Sequence, residues 1–305
     1  SPRELTRWVR GIYEAIKPLN ELPLLGLIRL WGHEGLRLFS DRLSEEEDRT
    51  WTYNLIKETA LKSFPHVDVS EALRQPILYS DWLSHEYLSV DDEELKNFVN
   101  ERLRVFNEEE INASIVLYQD LLDHILRIDR VLKNPQGHLI LVGLSGSGKT
   151  SITKFVAWIN GIHVFQLSVS SSYSLADFDN TLRRLLKKAG VNGEKVCFIV
   201  DESTILDPTF LERMNTLLAN AEVPGLYEGE DFNSLMSACA EASQSQNLYL
   251  GTDEELYQWF IHQVAQNFHV VFTISDPYMD GSPQIISSPA LYNRCVINWM
   301  GDWSD

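Results

Sequence analysis

The sequence is poor in cysteine, poor in basic residues and free of long apolar runs. Its three cysteines, Cys197, Cys239 and Cys295, lie far apart, and this spacing predicts neither a disulfide framework nor a zinc site. A reducing compartment is therefore the simpler expectation. No uninterrupted apolar stretch approaches the roughly 20 residues that cross a bilayer, so the sequence predicts no membrane insertion. The eight histidines show no metal-ligand spacing with other donors.

The deficit of basic residues restricts the kind of partner that the chain can bind. Lysines and arginines number 26 against 44 aspartates and glutamates, which gives a formal net charge of −18. Binding to duplex nucleic acid or to an anionic membrane depends on a basic surface. The composition therefore predicts no nucleic-acid partner, whereas a free nucleotide stays compatible because its phosphates require only local positive potential.

One stretch, Gly143-Leu-Ser-Gly-Ser-Gly-Lys-Thr150, fits the phosphate-binding template G-x-x-x-x-G-K-[ST] at every fixed position. An apolar run at 138–142 precedes it and a helical run at 152–159 follows it, so strand, loop and helix occur in the required order. Glycines let successive backbone N–H groups point inward, and the helix N-terminus adds partial positive charge. We expect Lys149 to reach the β- and γ-phosphates and the Thr150 hydroxyl to bind Mg²⁺; the alternative is an ordinary glycine–serine turn. The predicted phosphate-binding residues are Gly143, Leu144, Ser145, Gly146, Ser147, Gly148, Lys149, Thr150 and Ser151.

A second apolar run, 196–200, ends in two carboxylates, Asp201 and Glu202. Because open α/β sheets bind ligands at the carboxyl ends of their strands, we expect Asp201 beside the Mg²⁺ that Thr150 binds, partly through water. Glu202 would face the γ-phosphate and orient and deprotonate a water molecule. The alternative for Glu202 is helix capping at the following turn.

Two positions farther along the chain are weaker candidates. The strand predicted at 269–274 should lie next to the strand that bears Asp201, which makes Ser275 the first choice and Asp276 the second for sensing the γ-phosphate. An ordinary strand-end turn is an equal alternative. Arg294 ends a short apolar stretch and is a candidate arginine finger for a neighbouring site, although a surface ion pair explains it as well.

The order of periodic segments indicates two parts. Three amphipathic helical patterns with short connections fill residues 1–74 and predict a small all-α helical domain. Strand and helix patterns alternate from residue 138 onward and predict a parallel sheet with crossover helices, so residues 75–305 are assigned to an α/β domain. Residues 222–258 are polar with little periodicity and are expected to form a surface insertion. We expect both parts to belong to a longer polypeptide.

Beyond these motifs, much of the chain resembles the AAA+ modules of the dynein heavy chain. The resemblance is carried by such stretches as Ile28-Arg-Leu-Trp-Gly-His-Glu34 and Phe155-Val-Ala-Trp158, and by residues 1–9, 76–79, 124–129, 210–220 and 289–294. It implies the small helical subdomain of the third ring module, joined to the α/β large subdomain of the fourth, a P-loop NTPase.

The resemblance also implies roles for single residues. Arg3 resembles the second-sensor arginine of the preceding module, and Arg294 resembles an arginine finger offered in trans to that same preceding site. The residues Pro76, Ile77 and Leu78 resemble the loop that borders the adenine. One departure is Ser275-Asp276-Pro277, where the family often has Asn followed directly by Pro, and this leaves sensing and hydrolysis less secure than binding.

The function implied by the resemblance is that of a regulatory ATPase module that uses ATP/ADP and Mg²⁺. Its implied partners are the remaining AAA+ modules of the same heavy chain, the microtubule through a stalk outside these residues, a second heavy chain and the dynein accessory subunits. The implied location is the cytoplasm and cytoskeleton. The alternative is a structural module that holds a nucleotide without turnover. An unrelated P-loop GTPase is disfavoured by the lack of an Asn-Lys-x-Asp signal.

Overall fold

The computed structural model describes residues 2–109, 115–205, 207–275 and 289–300, except for the side chains of Arg3, Gln119, Pro289 and Ala290. The chain forms two compact units, residues 1–127 and residues 128–305. This division differs in position from the predicted domain boundary near residue 74. The predicted boundary separates parts of two modules of a larger assembly. The contacts within this chain do not test that assignment, so it stays a prediction.

The first unit is built mainly from helices. The apolar faces of the helices within residues 2–72 meet in one core, in which Ile28, Leu30, Ala60 and Leu73 are almost fully buried. A short antiparallel pair of strands follows these helices and is predicted by nothing in the sequence pattern. The elements are α1 (Pro2–Ile16), α2 (Leu24–Phe39), α3 (Glu46–Ser63), α4 (Val69–Ala72), β1 (Tyr79–Ser80), β2 (Leu88–Ser89), α5 (Asp92–Glu109) and the start of α6 (Gln119–Lys133).

Four charged side chains join α2 and its C-terminal end to α6 within the first unit. Arg37 Nε lies 3.2 Å from Asp41 Oδ2, and Arg37 Nη1 lies 3.1 Å from Asp123 Oδ1. Arg127 pairs with both aspartates, with its Nε 3.3 Å from Asp41 Oδ1. Asp41 is only 4% exposed. Two guanidinium groups and two carboxylates thus neutralise one another, as a buried charge requires.

The second unit contains a five-stranded parallel sheet. From one edge to the other, its strands are residues 163–166, 196–201, 268–274, 139–142 and 296–299. This confirms the predicted α/β class with a parallel sheet. It also confirms that the strand after the last long helix pairs with the strand that bears Asp201. The elements are β3 (Leu139–Val142), α7 (Lys149–Ile159), β4 (His163–Gln166), α8 (Leu175–Gly190), β5 (Val196–Asp201), α9 (Pro208–Asn220), α10 (Glu230–Ser245), α11 (Asp253–Asn267), β6 (Phe268–Ile274), α12 (Pro289–Arg294) and β7 (Val296–Trp299).

Local sequence signals explain where these helices begin. Ser174 caps α8 and Thr252 caps α11, each in a reciprocal capping box with the acidic residue three positions later. Asp207 caps α9, and a proline occupies the first helical position. Alternate residues of β5 and β6 then enter one core with α8, α9, α10 and α11, including Phe198, Val270 and Phe272.

Residues 222–258 differ from the sequence expectation of little regular structure. They include α10, and its Leu235, Met236 and Cys239 are buried in the same core as the sheet. The helix was not predicted because its small and polar residues give a weak periodic signal, which packing against the core overrides. Whether the segment is an insertion relative to other modules stays a prediction. In the described residues no helix is both long and apolar enough to span a bilayer.

Candidate functional site

The glycine-rich loop connects β3 to α7. Gly146 and Gly148 have φ values of 82° and 78°, which side chains rarely adopt, so the backbone path depends on glycine at both positions. A Cβ atom at Gly143 would lie 2.7 Å from the Met300 carbonyl oxygen, which follows β7. Glycine at position 143 therefore lets the loop pass close to the neighbouring strand. The loop then ends at the first backbone N–H groups of α7.

Lys149 folds back over this loop. Its Nζ donates hydrogen bonds of 2.7 Å each to the carbonyl oxygens of Gly143 and Leu144. Burial lowers the pKa of Lys149 from its ordinary value, and the nearby charges of Asp201 and Glu202 oppose that shift. The ammonium group is thus held where the loop curls, as the phosphate-binding hypothesis requires.

Asp201 ends β5 with both carboxylate oxygens engaged. Oδ1 accepts hydrogen bonds from the backbone N–H and the hydroxyl of Ser203, at 3.1 and 2.5 Å. Oδ2 accepts a hydrogen bond of 2.7 Å from the hydroxyl of Thr273 on β6. Burial by itself would raise the pKa of Asp201, but these hydrogen bonds, with the charge of Lys149, lower it below its ordinary value. The carboxylate is therefore ionised at neutral pH.

Glu202 opens the short 3₁₀ turn that follows β5. Its Oε1 accepts a hydrogen bond of 3.0 Å from the backbone N–H of Ser275. The sequence predicted that the polar side chain of Ser275 senses the γ-phosphate. In the structure the backbone N–H of Ser275 bonds Glu202, and the role of the side chain stays a prediction. Asp276, the second choice, lies outside the described residues.

The sheet brings the loop and the two carboxylates to one edge. β6 lies between β3 and β5, with Thr273 paired to Leu141 on one side and to Asp201 on the other. The ends of β3 and β5 are therefore two strand spacings apart, about 9–10 Å. The Gly143 N–H also bonds the Ile274 carbonyl, at 3.2 Å. The glycine loop with its backbone N–H groups and the two carboxylates therefore lie on either side of β6, at the carboxyl end of the sheet.

The oxygen donors at the carboxyl end of the sheet suit Mg²⁺ that is bound together with phosphates. Thr150 is the second residue of α7 and is half-buried, and Asp201 supplies carboxylate oxygens, so the ligands are hard oxygen donors. Throughout the described residues no group of three or more His, Cys, Asp or Glu side chains could hold a metal alone. Mg²⁺ commonly binds through one or two protein oxygens plus substrate phosphates, and these residues fit that arrangement.

The other predicted residues lie away from the loop in sequence. Ile77 and Leu78 are buried and Pro76 is exposed; the Pro76 carbonyl accepts a hydrogen bond of 2.9 Å from Arg29. Arg29 also bonds the carbonyls of Ala72 and Arg74, so this segment is held firmly. Its role beside an adenine stays a prediction.

The two predicted arginines differ in what the structure describes. Arg3 lies in α1, and its side chain is outside the described part of the chain. Arg294 ends α12 with an exposed side chain, and no ion pair joins it to another described residue. The surface ion pair considered as an alternative is therefore not formed with any described side chain. The action of Arg3 and Arg294 in a neighbouring site stays a prediction.

Sequence reasoning missed two residues, Thr273 and Ser203. Ser203 follows Asp201 by two positions, and an aspartate that accepts a bond from residue i+2 is a common turn pattern, so this signal was present. Thr273 gives no such local signal because it lies 72 positions from Asp201. A hydroxyl that follows the apolar run Val270–Phe272, one position before the strand ends, is the only sequence hint.

Two family models match the chain. The first, described as the P-loop containing dynein motor region D4, covers residues 113–305. The second, described as the dynein heavy chain ATPase lid domain, covers residues 1–49. The first model includes the glycine loop and both carboxylates.

Cytoplasmic dynein heavy chains are similar to the chain over its full length. The one from Neurospora crassa is 58% identical over 306 residues, and the one from Drosophila melanogaster is 55% identical over 306 residues, in both cases across 100% of this chain. The one from Saccharomyces cerevisiae is 45% identical over 303 residues, or 99% of this chain. The chain spans 7% of the length of each of these relatives.

Proposed function

This chain belongs to the dynein heavy-chain family, and we propose that it is a regulatory ATP-binding and ATP-hydrolysing AAA+ module of a dynein motor ring. In this proposal it combines the small subdomain of the third module with the large subdomain of the fourth. Agreement with the D4 model over residues 113–305 supports the fourth-module assignment. Agreement with the lid model over residues 1–49 supports a small subdomain at the start.

One observation carries the proposal. Lys149 lies in a glycine loop at the end of β3, and Asp201 and Glu202 lie at the end of β5, on either side of β6 in a parallel sheet. This arrangement supports the proposal that nucleotide phosphates bind between the loop that carries Lys149 and the strand end that carries the two carboxylates. Family membership alone would not distinguish a module with both halves of the site from one that has lost one of them.

The residues take distinct roles in this proposal. The loop amides and Lys149 hold the phosphates of ATP or ADP, and Thr150 and Asp201 hold Mg²⁺. The metal, when bound, would neutralise charge that develops on the phosphates. Glu202 orients a water molecule and accepts its proton. That role requires Glu202 to leave the Ser275 N–H or to keep its second oxygen for water.

Two arginines would act on the preceding module's nucleotide. Arg294 is proposed as a finger that stabilises transition-state charge there, which its exposed position at the end of α12 supports. Arg3 is proposed as the second-sensor arginine of the same site. The fragment would then hold one site and contribute two cations to another.

The partners of the module are proposed from the resemblance to dynein heavy chains. The partners would be the other AAA+ modules of the heavy chain, a second heavy chain, accessory subunits and a microtubule contacted elsewhere. The similarity to cytoplasmic dynein heavy chains supports a cytoplasmic location. A microtubule-associated, cytoskeletal location goes with that proposal.

A module that holds a nucleotide without turnover is the competing proposal. The hydrogen bond from Ser275 to Glu202 favours it, because a carboxylate oxygen held by a backbone N–H is less free to turn towards a water molecule. The departure at Ser275-Asp276-Pro277 supports it as well. The two proposals differ only in the hydrolysis step.

Variants of two site residues separate these proposals. Lys149→Ala in the purified chain should weaken ATP binding by about 30-fold or more, since it removes a charged donor worth about 2 kcal/mol or more. Lys154→Ala, in the same helix, is the matched control and should bind as the parent does. Glu202→Gln should leave ATP binding unchanged but abolish single-turnover hydrolysis at this module, measured in a heavy chain that carries the whole ring.

Four outcomes decide the matter. Unchanged ATP affinity in Lys149→Ala would refute the proposed site. Hydrolysis that persists in Glu202→Gln would refute the assigned base, and an equal loss of binding and hydrolysis would show a structural role for Glu202. Single-turnover hydrolysis that is absent from this module even with Glu202 present would favour the nucleotide-holding proposal.

A further inference from the structure

We propose that Thr273, acting with Ser203, is a positioning residue that fixes the Asp201 carboxylate for the metal of a bound Mg²⁺–nucleotide complex. The inference rests on the proposed function and adds residues to its site. Neither Thr273 nor Ser203 belongs to the loop or to the pair of acidic residues that identify such sites in sequence.

The contact between the strands is direct. Thr273 and Asp201 are partners in the β5–β6 register, so their side chains project from the same face of the sheet. The Thr273 hydroxyl donates to Asp201 Oδ2 at 2.7 Å, and Thr273 is only 1% exposed. A β-branched side chain on a central strand has little rotational freedom. Its hydroxyl therefore holds one carboxylate oxygen in a fixed place.

The second oxygen is fixed independently. Ser203 donates both its backbone N–H and its hydroxyl to Asp201 Oδ1. Aspartate has a broad energy profile for rotation of its carboxylate plane, so a single contact would leave that plane free to turn. Contacts on both oxygens determine the plane. Oδ1 accepts two hydrogen bonds, whereas Oδ2 accepts one and keeps a lone pair for a metal or a metal-bound water.

Orientation matters for Mg²⁺ because this ion demands near-ideal octahedral geometry. Partners that orient a metal's ligands typically alter metal affinity by about 10–100-fold when they are removed. The Thr273 hydroxyl is buried and bonds Asp201, so its loss should act on the metal-dependent part of nucleotide binding. Contacts between the loop and the phosphates should persist.

A purely structural role for the hydroxyl makes a different prediction. The Thr273 hydroxyl could serve only to pair a buried polar group in the sheet, in which case its loss would lower stability or change all nucleotide binding alike. Thr273→Val keeps the shape and removes the hydroxyl, and Thr273→Ser keeps the hydroxyl. Thr52→Val is the matched control, since Thr52 is buried and bonds only a helix carbonyl at 2.8 Å.

The test measures ATP affinity of the purified chain by calorimetry, once with excess Mg²⁺ and once with EDTA. In Thr273→Val the affinity in EDTA should stay within about twofold of the parent, while the gain on adding Mg²⁺ should fall by about 10–100-fold. Thr273→Ser and Thr52→Val should keep the full gain. Circular dichroism of each variant checks that it is folded.

Ser203→Ala provides a second variant at an exposed position, which keeps the test decisive if Thr273→Val does not fold. It retains the backbone N–H contact and should lose a smaller part of the Mg²⁺-dependent gain. A full gain in Thr273→Val, or in Ser203→Ala where Thr273→Val is unfolded, would overturn the proposal. So would equal losses with and without Mg²⁺. A parent chain that binds ATP with no Mg²⁺-dependent gain overturns this inference alone, whereas a parent that binds no ATP overturns the proposed function as well.

Discussion

Two buried histidines should make the stability of the chain fall steeply between pH 8 and pH 5. His138 immediately precedes β3 and His269 lies in β6, and they are 5% and 1% exposed. His138 Nδ1 accepts the backbone N–H of Val270 at 3.1 Å, and His269 Nδ1 lies 2.9 Å from the Gly137 carbonyl oxygen. Burial lowers the pKa of His138 to about 3 and the pKa of His269 to about 4.

The sign follows from proton uptake on unfolding. An unfolded histidine has a pKa of about 6.5, so below that pH the unfolded chain binds protons that the folded chain excludes. The free energy of unfolding therefore falls as the pH drops from about 6.5 towards about 4. At pH 5 the loss is about 2 kcal/mol for each histidine relative to pH 8, or about 4 kcal/mol for the pair.

Urea unfolding at pH 8 and pH 5, at constant ionic strength, measures this loss. His138→Asn keeps an acceptor near the Nδ1 position, and His269→Asn keeps a donor there, but neither side chain titrates. Each variant should be less stable at pH 8 because part of a buried ring is removed. The free energy of unfolding of each variant should fall between pH 8 and pH 5 by about 2 kcal/mol less than that of the parent. The exposed His163→Asn is the control and should reproduce the parent's loss. Equal losses in the buried-site variants and the parent would refute the reasoning.

Three further predictions concern other parts of the chain. Gly190→Ala places a Cβ 2.3 Å from Phe260 Cε2, and overpacking should outweigh the better helix propensity and destabilise the chain by about 1–2 kcal/mol in urea unfolding; a stabilised variant would contradict this packing. Asp41→Asn leaves Arg37 buried with one carboxylate fewer and should cost about 3 kcal/mol in the same assay, and a loss under 1 kcal/mol would show that the charge network contributes little. Arg294→Ala should leave ATP binding to this chain unchanged and lower turnover at the preceding module in an intact ring; unaltered turnover there would remove the finger assignment.

The parts of the site that lie close together in sequence were predictable. Strand β3, the glycine loop and α7 are consecutive, and their signals are local ones, namely an apolar run, glycines at positions of positive φ and helical periodicity. The acidic pair at the end of β5 follows the same logic. The pairing of β6 with β5 could also be inferred, because the alternation of strands and helices indicates a parallel sheet.

Local signals were insufficient where packing decides the structure. Helix α10 consists largely of small and polar residues, and it is a helix in the fold because Leu235, Met236 and Cys239 reach the core shared with the sheet. Strand β7 is short and was not predicted, but it pairs with β3 and borders the glycine loop at Gly143. In both cases the stabilising contacts come from residues distant in sequence.

The sequence by itself determined the family, the phosphate-binding loop and the acidic strand end, because each of these is encoded within a short run of residues. Only the tertiary structure decided how the carboxylates are held. Asp201 meets Thr273 and Glu202 meets Ser275 across 72 and 73 positions of the chain. These contacts exist because a parallel sheet places the ends of β5 and β6 side by side. Register, which no single segment specifies, determines which hydroxyl and which N–H group face each carboxylate.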